Sequence, residues 1–535
     1  MTSTAQTRSV DVVVCGAGPV GLTSATLLAS RGLTVLVFEQ HDYTSDEPKA
    51  ISLDDEALRV FQQAGIVNSV LPVVVPGTGT RYYDRNGEPL FHARGSMPYR
   101  LGYPFKNPFA QPDLERALAD ALETMPTAEL RFGTRVVGFE QADDDVRVEA
   151  LHGDQRQFVS AKYVLGCDGG RSATRLLQGG TMSGRSHRDV WMVVDTIGDT
   201  HTERFAMHHG DPRRPHVIVP GLNGRCRYEF RLFDGEGEPG AAPDFELIER
   251  LVSCYRSLSP DQVVRAINYT FNAVVADQWQ VGRTFLLGDA AHMMPPFAGQ
   301  GLNSGIRDAA NLTWKVADVI EGRLAPAALD TYERERRPHA LATVRLSEQL
   351  GRLVMTTSER LAQRRDALIG QAVQTGDGRK YLEEMRYRPM QHYTEGLVFS
   401  GDEPTIVGIA IGQPLAFDSV AHRVARLDDA IGGRWAVIAI DLPDAVWSAV
   451  EPIATALDAD TALIPISDVW PRSEHRVLID VDGDLNREFA QYRGRFMLLR
   501  PDKFVAATWR PIETPDVCAQ VLTWTPQRVT TNAAR

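Results

Sequence analysis

The chain has few cysteines. Cys15, Cys167, Cys226, Cys254 and Cys518 are scattered, odd in number and without a CxxC pair, which excludes a cysteine zinc site and a redox dithiol. Such a set suits a reducing compartment, so a cytoplasmic location is expected. No basic block is present, and 57 Lys+Arg against 69 Asp+Glu leave a formal charge of −12, so nucleic acid is not an expected partner. An uninterrupted apolar stretch of membrane-spanning length is also missing. Residues 10–29 come nearest, but Gly16, Gly18, Pro19 and Gly21 interrupt them. Residues 1–10 are polar, with one arginine and no apolar signal core, so neither a leader nor stable membrane insertion is expected. No repeat or low-complexity segment occurs beyond a polar tail after Pro526. A length of 535 residues suggests about three domains.

The most informative stretch is Gly282-Arg-Thr-Phe-Leu-Leu-Gly-Asp-Ala-Ala-His-Met-Met-Pro-Pro-Phe-Ala-Gly-Gln-Gly-Leu-Asn-Ser-Gly305. Residues 284–287 have the length and flanks of a buried strand. Gly288-Asp289 ends that strand with one acidic side chain, and Pro295-Pro296 fixes a turn. Gly299, Gly301 and Gly305 let the backbone approach something closely before a helix patterned by Ile306, Ala309, Ala310, Trp314 and Val316. Amides at a helix start stabilise negative charge. The Asp289 carboxylate suits hydroxyls on a sugar-like chain. Both features fit a cofactor with a polyol chain and a ring that becomes anionic, as reduced flavin does.

The N-terminal region carries a second signal. Residues 10–15 read as a buried strand, followed by Gly16-Ala-Gly18-Pro-Val-Gly21, a helix over residues 22–31 and a strand over 33–38 that ends in Glu39. The acid falls near the spacing of about 20 residues expected of a dinucleotide fingerprint. The glycines permit a pyrophosphate to reach the helix start, and Glu39 suits a ribose hydroxyl pair. Gly235-Glu-Gly237-Glu-Pro-Gly240 has the same spelling. Its two glutamates would repel a pyrophosphate and Pro239 removes a donor, so it reads as an ordinary loop. One dinucleotide site is expected, not two.

Residues 54–58 and 111–118 look like helix starts, the latter with Gln111-Pro112 in its first turn. Residues 164–175 run from a strand through Asp168-Gly169-Gly170 into a helix. Strand candidates at 191–194, 205–208, 216–219, 228–233 and 268–275 predict an antiparallel sheet inserted between two halves of a flavin domain. Residues 329–374 are predicted helical with a break near Pro338, and the charged run 333–337 reads as a solvated face. Apolar runs at 435–440, 462–466, 477–481 and 496–499 predict a small C-terminal α/β domain. The expected organisation is residues 1–185 and 282–394 for the two parts of the flavin domain, 186–281 for the inserted sheet and 395–535 for the last domain.

Taken together, the chain resembles the class A FAD-dependent aromatic hydroxylases. The resemblance rests on Gly16-Ala-Gly-Pro-Val-Gly21, Asp168-Gly169 with Arg175, Gly288-Asp289-Ala-Ala-His292 with Pro295-Pro296, and Gln111-Pro112 with Glu115. Asp211-Pro212-Arg-Arg-Pro215 and Arg500-Pro-Asp-Lys-Phe-Val505 look most like the 3-(3-hydroxyphenyl)propionate hydroxylase branch. The resemblance implies an α/β fold: a Rossmann-like FAD-binding domain, an inserted antiparallel-sheet substrate domain and a thioredoxin-like C-terminal domain, the last without CxxC and so with a structural or dimer-related role. It implies FAD, NADH or NADPH as transient reductant, O2, and oxygen transfer from a flavin C4a-hydroperoxide to a phenolic ring, ortho to the hydroxyl of a phenol with a short acidic side chain. A larger polycyclic substrate and a non-catalytic FAD-dependent ligand binder are the alternatives, and a homodimer is left open. The missing second fingerprint and cysteine pair argue against a flavin disulfide reductase, the missing W-x-W against a halogenase, and the missing anchor helix against a membrane epoxidase.

The cofactor-binding residues so expected are Gly16, Gly18, Gly21, Glu39, Lys49, Gln111, Asp168, Asp289, Gly299, Gly301, Leu302 and Asn303. Lys49 stands where the family usually has Arg, which keeps the charge without the bidentate fork. Tyr269, His208, His209 and Pro296 are the catalytic candidates. Of the two adjacent histidines, only one should face the substrate, because side chains alternate along a strand. No metal ligand is expected.

Overall fold

Valine-rich runs near the N-terminus form the centre of a parallel sheet. In the computed structural model, which describes residues 8–46, 49–75, 77, 79–399, 406–466 and 473–526, strand Arg8–Cys15 lies between Val35–Phe38 and Gln155–Gly166, parallel to both. Val12, Val13, Val14 and all of Val35–Phe38 are buried. Strands covered on both faces have no need to alternate, which is why these read as continuous apolar runs. Ala128–Arg131 and Thr284–Leu286 extend the sheet in parallel at its two sides. Thr134–Gln141 and Val146–His152 add an antiparallel hairpin against Gln155–Gly166. Helix Pro19–Ala29 begins earlier than the expected residue 22, because Pro19 is pre-set for a first helical position behind Gly18.

A second sheet runs from His292–Met293 through Val263–Ala276, Met182–Thr196, Cys226–Arg231, His216–Pro220, Ala206–His209 and Thr80–Tyr83 to Pro89–Ala93. It was expected to be antiparallel, yet Ala206–His209 pairs in parallel with Thr80–Tyr83. Those outer strands come from far upstream, so no hairpin dictates their direction. One face of the sheet presents Tyr82, Trp191, Val217 and Phe271. The other, with Met192, Ile218, Tyr228 and Phe230, packs against helix Phe245–Val252.

These elements belong to one compact unit, made of Met1–Tyr99, Tyr103–Ala309 and Ala340–Pro389. A second unit comprises Arg100–Gly102, Ala310–His339 and Met390–Arg535. Its sheet has the order Arg423–Arg426, Leu415–Asp418, Arg476–Asp480, Asp460–Ile464, Ala436–Ile440, Arg495–Leu499, Val505–Trp509, in a thioredoxin-like arrangement with a parallel centre and antiparallel sides. No cysteine lies on these strands; Cys518 is on helix Thr514–Leu522.

Two local expectations fail at helix Thr331–Val354. It runs through Pro338 without a break, and Glu335 and Arg336 are buried rather than solvated. The Glu335 carboxylate accepts hydrogen bonds from Lys315 (2.8 Å), Arg500 (2.8 Å), Asn311 (2.7 Å) and the Leu397 amide (2.9 Å), all in the second unit. That long-range pairing overrides the local reading of a charged run as surface. Among the described residues, no helix is long and apolar enough to cross a membrane.

Candidate active site

The turn after Arg8–Cys15 is built on glycines for two different reasons. Gly16 has φ of 99°, and a Cβ there would lie 2.6 Å from the Cys167 carbonyl oxygen. A Cβ on Gly21 would lie 1.9 Å from the Gly16 carbonyl oxygen. Both positions are therefore closed by the loop's own packing. Around Gly18 nothing lies within 4 Å of a Cβ, so the space over the start of helix Pro19–Ala29 stays open. Glu39 is fixed beside this turn: its carboxylate accepts the Ala17 amide at 2.8 Å and the His41 amide at 2.9 Å.

Asp168 organises the second glycine turn rather than facing outward. Its carboxylate accepts the Ser172 hydroxyl, the Thr174 amide (2.8 Å) and the Thr174 hydroxyl (3.0 Å), which sets the start of helix Ala173–Leu177. Arg175 donates to the Ala290 carbonyl at 2.8 Å and to the Gly170 carbonyl at 2.8 Å. The Asp168 turn thereby holds the turn Gly288–Ala290 in place.

Asp289 sits in that turn. It is open to solvent yet densely surrounded, as a residue on the wall of a cleft would be; burial pushes its carboxyl up, while His292 and Lys49 pull it back. No described residue donates a hydrogen bond to it. Lys49 is exposed, but its backbone is tied down. Its carbonyl accepts Arg227 at 2.7 Å, and the neighbouring Ala50 amide donates to Gln111 at 2.6 Å. Gln111 in turn donates to Glu115 at 2.7 Å, and Glu115 accepts the Ser45 amide.

Helix Gly301–Ile320 starts opposite a clamp of polar side chains. Gly299 takes φ of 62°. The Asn303 amide group accepts from the Asp54 backbone at 3.0 Å and donates to the carbonyls of Ser52 (3.0 Å) and Gly299 (2.7 Å). Its side chain is thus committed to the loop, which leaves only the backbone of Asn303 to meet a ligand. Deeper in, Asp308 accepts both His292 Nε2 (2.8 Å) and the Gly288 amide (3.1 Å), with His292 and Asp308 fully buried.

An aromatic wall adjoins this loop. Pro296 and Phe297 open the turn Pro296–Ala298, and the Phe297 ring meets Trp191 and Phe271 at 5.4 Å each. Tyr269 lies 5.5 Å from Phe271. It is 47% exposed; the crowded surroundings and then the Asp289 charge push its phenol up, which keeps Tyr269 protonated at neutral pH. His208 and His209 point to opposite sides of their strand. His208 is buried 5.0 Å from Tyr82 on the aromatic-wall side, and burial, then Lys106, hold its imidazole well below the usual range. His209 is stacked between Tyr83 (4.4 Å) and His216 (4.3 Å) on the other face, where burial and His216 hold it at about 3. The alternation that brings His208 to the wall removes His209 from it.

Residues 9–347 match the FAD binding domain family, and residues 408–523 match the HcaD C-terminal domain. The chain belongs to the FAD-dependent aromatic hydroxylases. This hydroxylase is 36% identical over 515 residues to the 3-(3-hydroxy-phenyl)propionate/3-hydroxycinnamic acid hydroxylase of Mycolicibacterium smegmatis, covering 93% of this chain and 90% of that protein. It is 35% identical over 532 residues to 3-(3-hydroxy-phenyl)propionate/3-hydroxycinnamic acid hydroxylase 2 of Burkholderia vietnamiensis, covering 97% of each. Its fold is that of the flavin-dependent monooxygenase PieE, solved with FAD and substrate (TM-score 0.80, 22% identity, 96% and 99% of the two chains). Aklavinone-11 hydroxylase, solved with FAD and aklavinone, is also similar (TM-score 0.75, 22% identity, 96% and 99%).

The cofactor is FAD, and this site fits it. An acceptor without a donor at Asp289, open space at Gly18 and a helix start behind Gly299 are what a ribityl chain, a pyrophosphate and an electron-rich ring each require. Asp289→Ala is expected to lower FAD affinity about tenfold or more, on the scale of hydrogen bonds to a charged group. Equilibrium dialysis against FAD, with melting to check the fold, measures this; wild-type affinity in the variant would exclude Asp289 from the site.

Sequence reasoning did not assign Trp191, Phe271 and Phe297 to the wall, and it did not single out Lys106, whose charge is felt by His208. Phe297 was visible within the Pro295-Pro296 motif. Lys106, between Phe105 and Asn107 in a proline-flanked segment, looks like a surface turn, and only its apolar flanks signal otherwise.

Proposed function

We propose that this hydroxylase acts on a monocyclic phenol with a short acidic side chain, inserting one oxygen of O2 ortho to the hydroxyl at the expense of NADH or NADPH. The observation that carries the reading is the ring cluster of Trp191, Phe271 and Phe297, in which Phe297 belongs to the same turn that leads to the cofactor-facing helix start. Trp191 and Phe271 are buried behind half-buried Phe297, so a flat ring would lie against Phe297, beside the proposed flavin site. The curated relatives named above support the substrate class.

Gly16, Gly18, Gly21, Glu39, Gln111, Lys49 and Asp289, with the backbone of Gly299, Gly301, Leu302 and Asn303, would hold FAD; Asp168 positions the Asp289 turn. Bound FAD supplies the electron transfer from the nicotinamide cofactor and the activation of O2. The protein's part is to exclude water, orient the ring and manage the phenol proton. Tyr269, protonated and beside Phe271, can donate a hydrogen bond to the phenol oxygen, whereas His208, four strands away across the sheet and held neutral by burial, is not placed to act on that same oxygen. Pro296 shapes the turn under the ring. The free cysteines support a cytoplasmic setting.

The test is substrate-stimulated NAD(P)H oxidation with product analysis, using phenolic acids, neutral alkylphenols and a polycyclic phenol. Phenolic acids are expected to give coupled formation of the catechol. Oxidation of the polycycle with no turnover of any simple phenol would reject this reading.

A further inference from the structure

Lys106 opens the short strand Lys106–Pro108, which pairs with Ser52–Asp54. Its ammonium stands at the turn before the cofactor-facing helix: a Cβ built on Gly299 would lie 3.8 Å from Nζ. Among the described residues, none accepts a hydrogen bond or ion pair from it. Of the acids on the paired segment, Asp54 and Glu56 are already engaged, and burial, then Asp54 and Glu56, push the Asp55 carboxyl up toward its neutral form. Asp54 pairs with Arg307 and with Arg388 (3.1 Å), and Glu56 pairs with Arg307. Arg388 adds positive charge while lying 4.5 Å from the centre of the Phe105 ring. Burial, then Arg388, push the Lys106 ammonium down to about 8, which still leaves most of it charged at neutral pH.

The surroundings are apolar and aromatic. Phe105, Phe297 and Tyr387 pack on the same cluster as Tyr82, Trp191 and Phe271. His208, on that face, also feels the Lys106 charge. A cation among rings with no counter-ion is costly to keep, and an arriving anion offsets that cost. Such a site selects for a ring that carries a negative group.

We propose that Lys106 is the counter-ion of the substrate, binding the carboxylate of the acidic side chain while the phenol ring lies against the Phe297 wall. The proposal rests on the substrate class given above. It makes Lys106 the residue that distinguishes a phenolic acid from a neutral phenol of the same shape.

The experiment compares wild-type holoenzyme with Lys106→Met and Lys106→Arg. Dissociation constants are measured by calorimetry for 3-(3-hydroxyphenyl)propionate and for neutral 3-propylphenol, alongside FAD content. Lys106→Met is expected to weaken the acid about tenfold or more, as loss of a charge-assisted bond does, and to leave the neutral phenol unchanged. Lys106→Arg should recover most of the acid's affinity. Unchanged acid binding, or equal weakening of both ligands, overturns the proposal. Loss of FAD with the acid-to-neutral ratio preserved also overturns it, assigning Lys106 to the cofactor instead. A wild type that binds neither ligand overturns the substrate class itself, and is distinguished by failing before any substitution is made.

Discussion

Gly21→Ala is expected to yield protein without FAD and with a lowered melting temperature, whereas Gly18→Ala should keep the wild-type melting temperature and only weaken FAD. The difference is geometric. A methyl group at Gly21 would meet the Gly16 carbonyl oxygen at 1.9 Å, and that atom is backbone, so no side-chain rotation relieves the overlap. Gly16 has φ of 99° and is itself held against Cys167, so it cannot yield without moving the strand ends. Overpacking of this kind costs about 1–3 kcal/mol or more, and here it falls on the loop proposed to approach the pyrophosphate. At Gly18 the methyl group has open space and φ of −70°, which any residue accepts. What it occupies is the open space over the helix start, where the cofactor is proposed to lie. Melting of the apoprotein together with an FAD titration separates the two effects. A Gly21→Ala protein that binds FAD as the wild type does would contradict the geometry, and so would a Gly18→Ala protein that melts early with FAD affinity intact.

How much of this was legible in the sequence follows the range of the interactions. The parallel strands Arg8–Cys15 and Val35–Phe38, the glycine turn and Asp289 announce themselves locally, because a doubly buried strand, a tight turn and a cleft acid each need particular residue types in a short span. The parallel junction of Ala206–His209 with Thr80–Tyr83 was hidden, since nothing in either segment specifies its neighbour. His208 and His209 were both candidates until the pairing of Met207 with Ile218 fixed which faces the sheet turns where. Lys106 was invisible for the same reason: its meaning depends on Gly299 and Arg388, both far along the chain. Local rules mark the candidate cofactor site here, and tertiary pairing decides what lies around it.

Glu335 shows that limit with the largest consequence for stability. Glu335→Gln is expected to destabilise the second unit by ~3–5 kcal/mol, the cost of leaving buried cations uncompensated. The carboxylate is fully buried between Lys315 and Arg500. Burial alone would raise its pKa, but Arg500 and Lys315 prevail and hold it at about 2. Lys315 behaves in the opposite sense, pushed down to about 8 by burial even with Glu335 beside it. The ionised carboxylate is the firmer assignment, because it receives four hydrogen bonds, while Arg500 keeps Asp502 as a second partner at 2.7 Å. Lys315 is then the group stranded by the substitution, with Asn311 at 2.9 Å as its remaining partner. Adding Lys315→Met should therefore recover part of the lost stability. The sign of the pH dependence follows from the depressed pKa: the Glu335 contribution is present above the unfolded value of ~4.3 and is lost as pH falls through about 2. Chemical denaturation of wild type, Glu335→Gln and the double variant over that window measures it. Equal stability of wild type and Glu335→Gln at neutral pH would mean that the buried network contributes nothing, and a double variant weaker than the single one would mean that Lys315 is not the stranded charge.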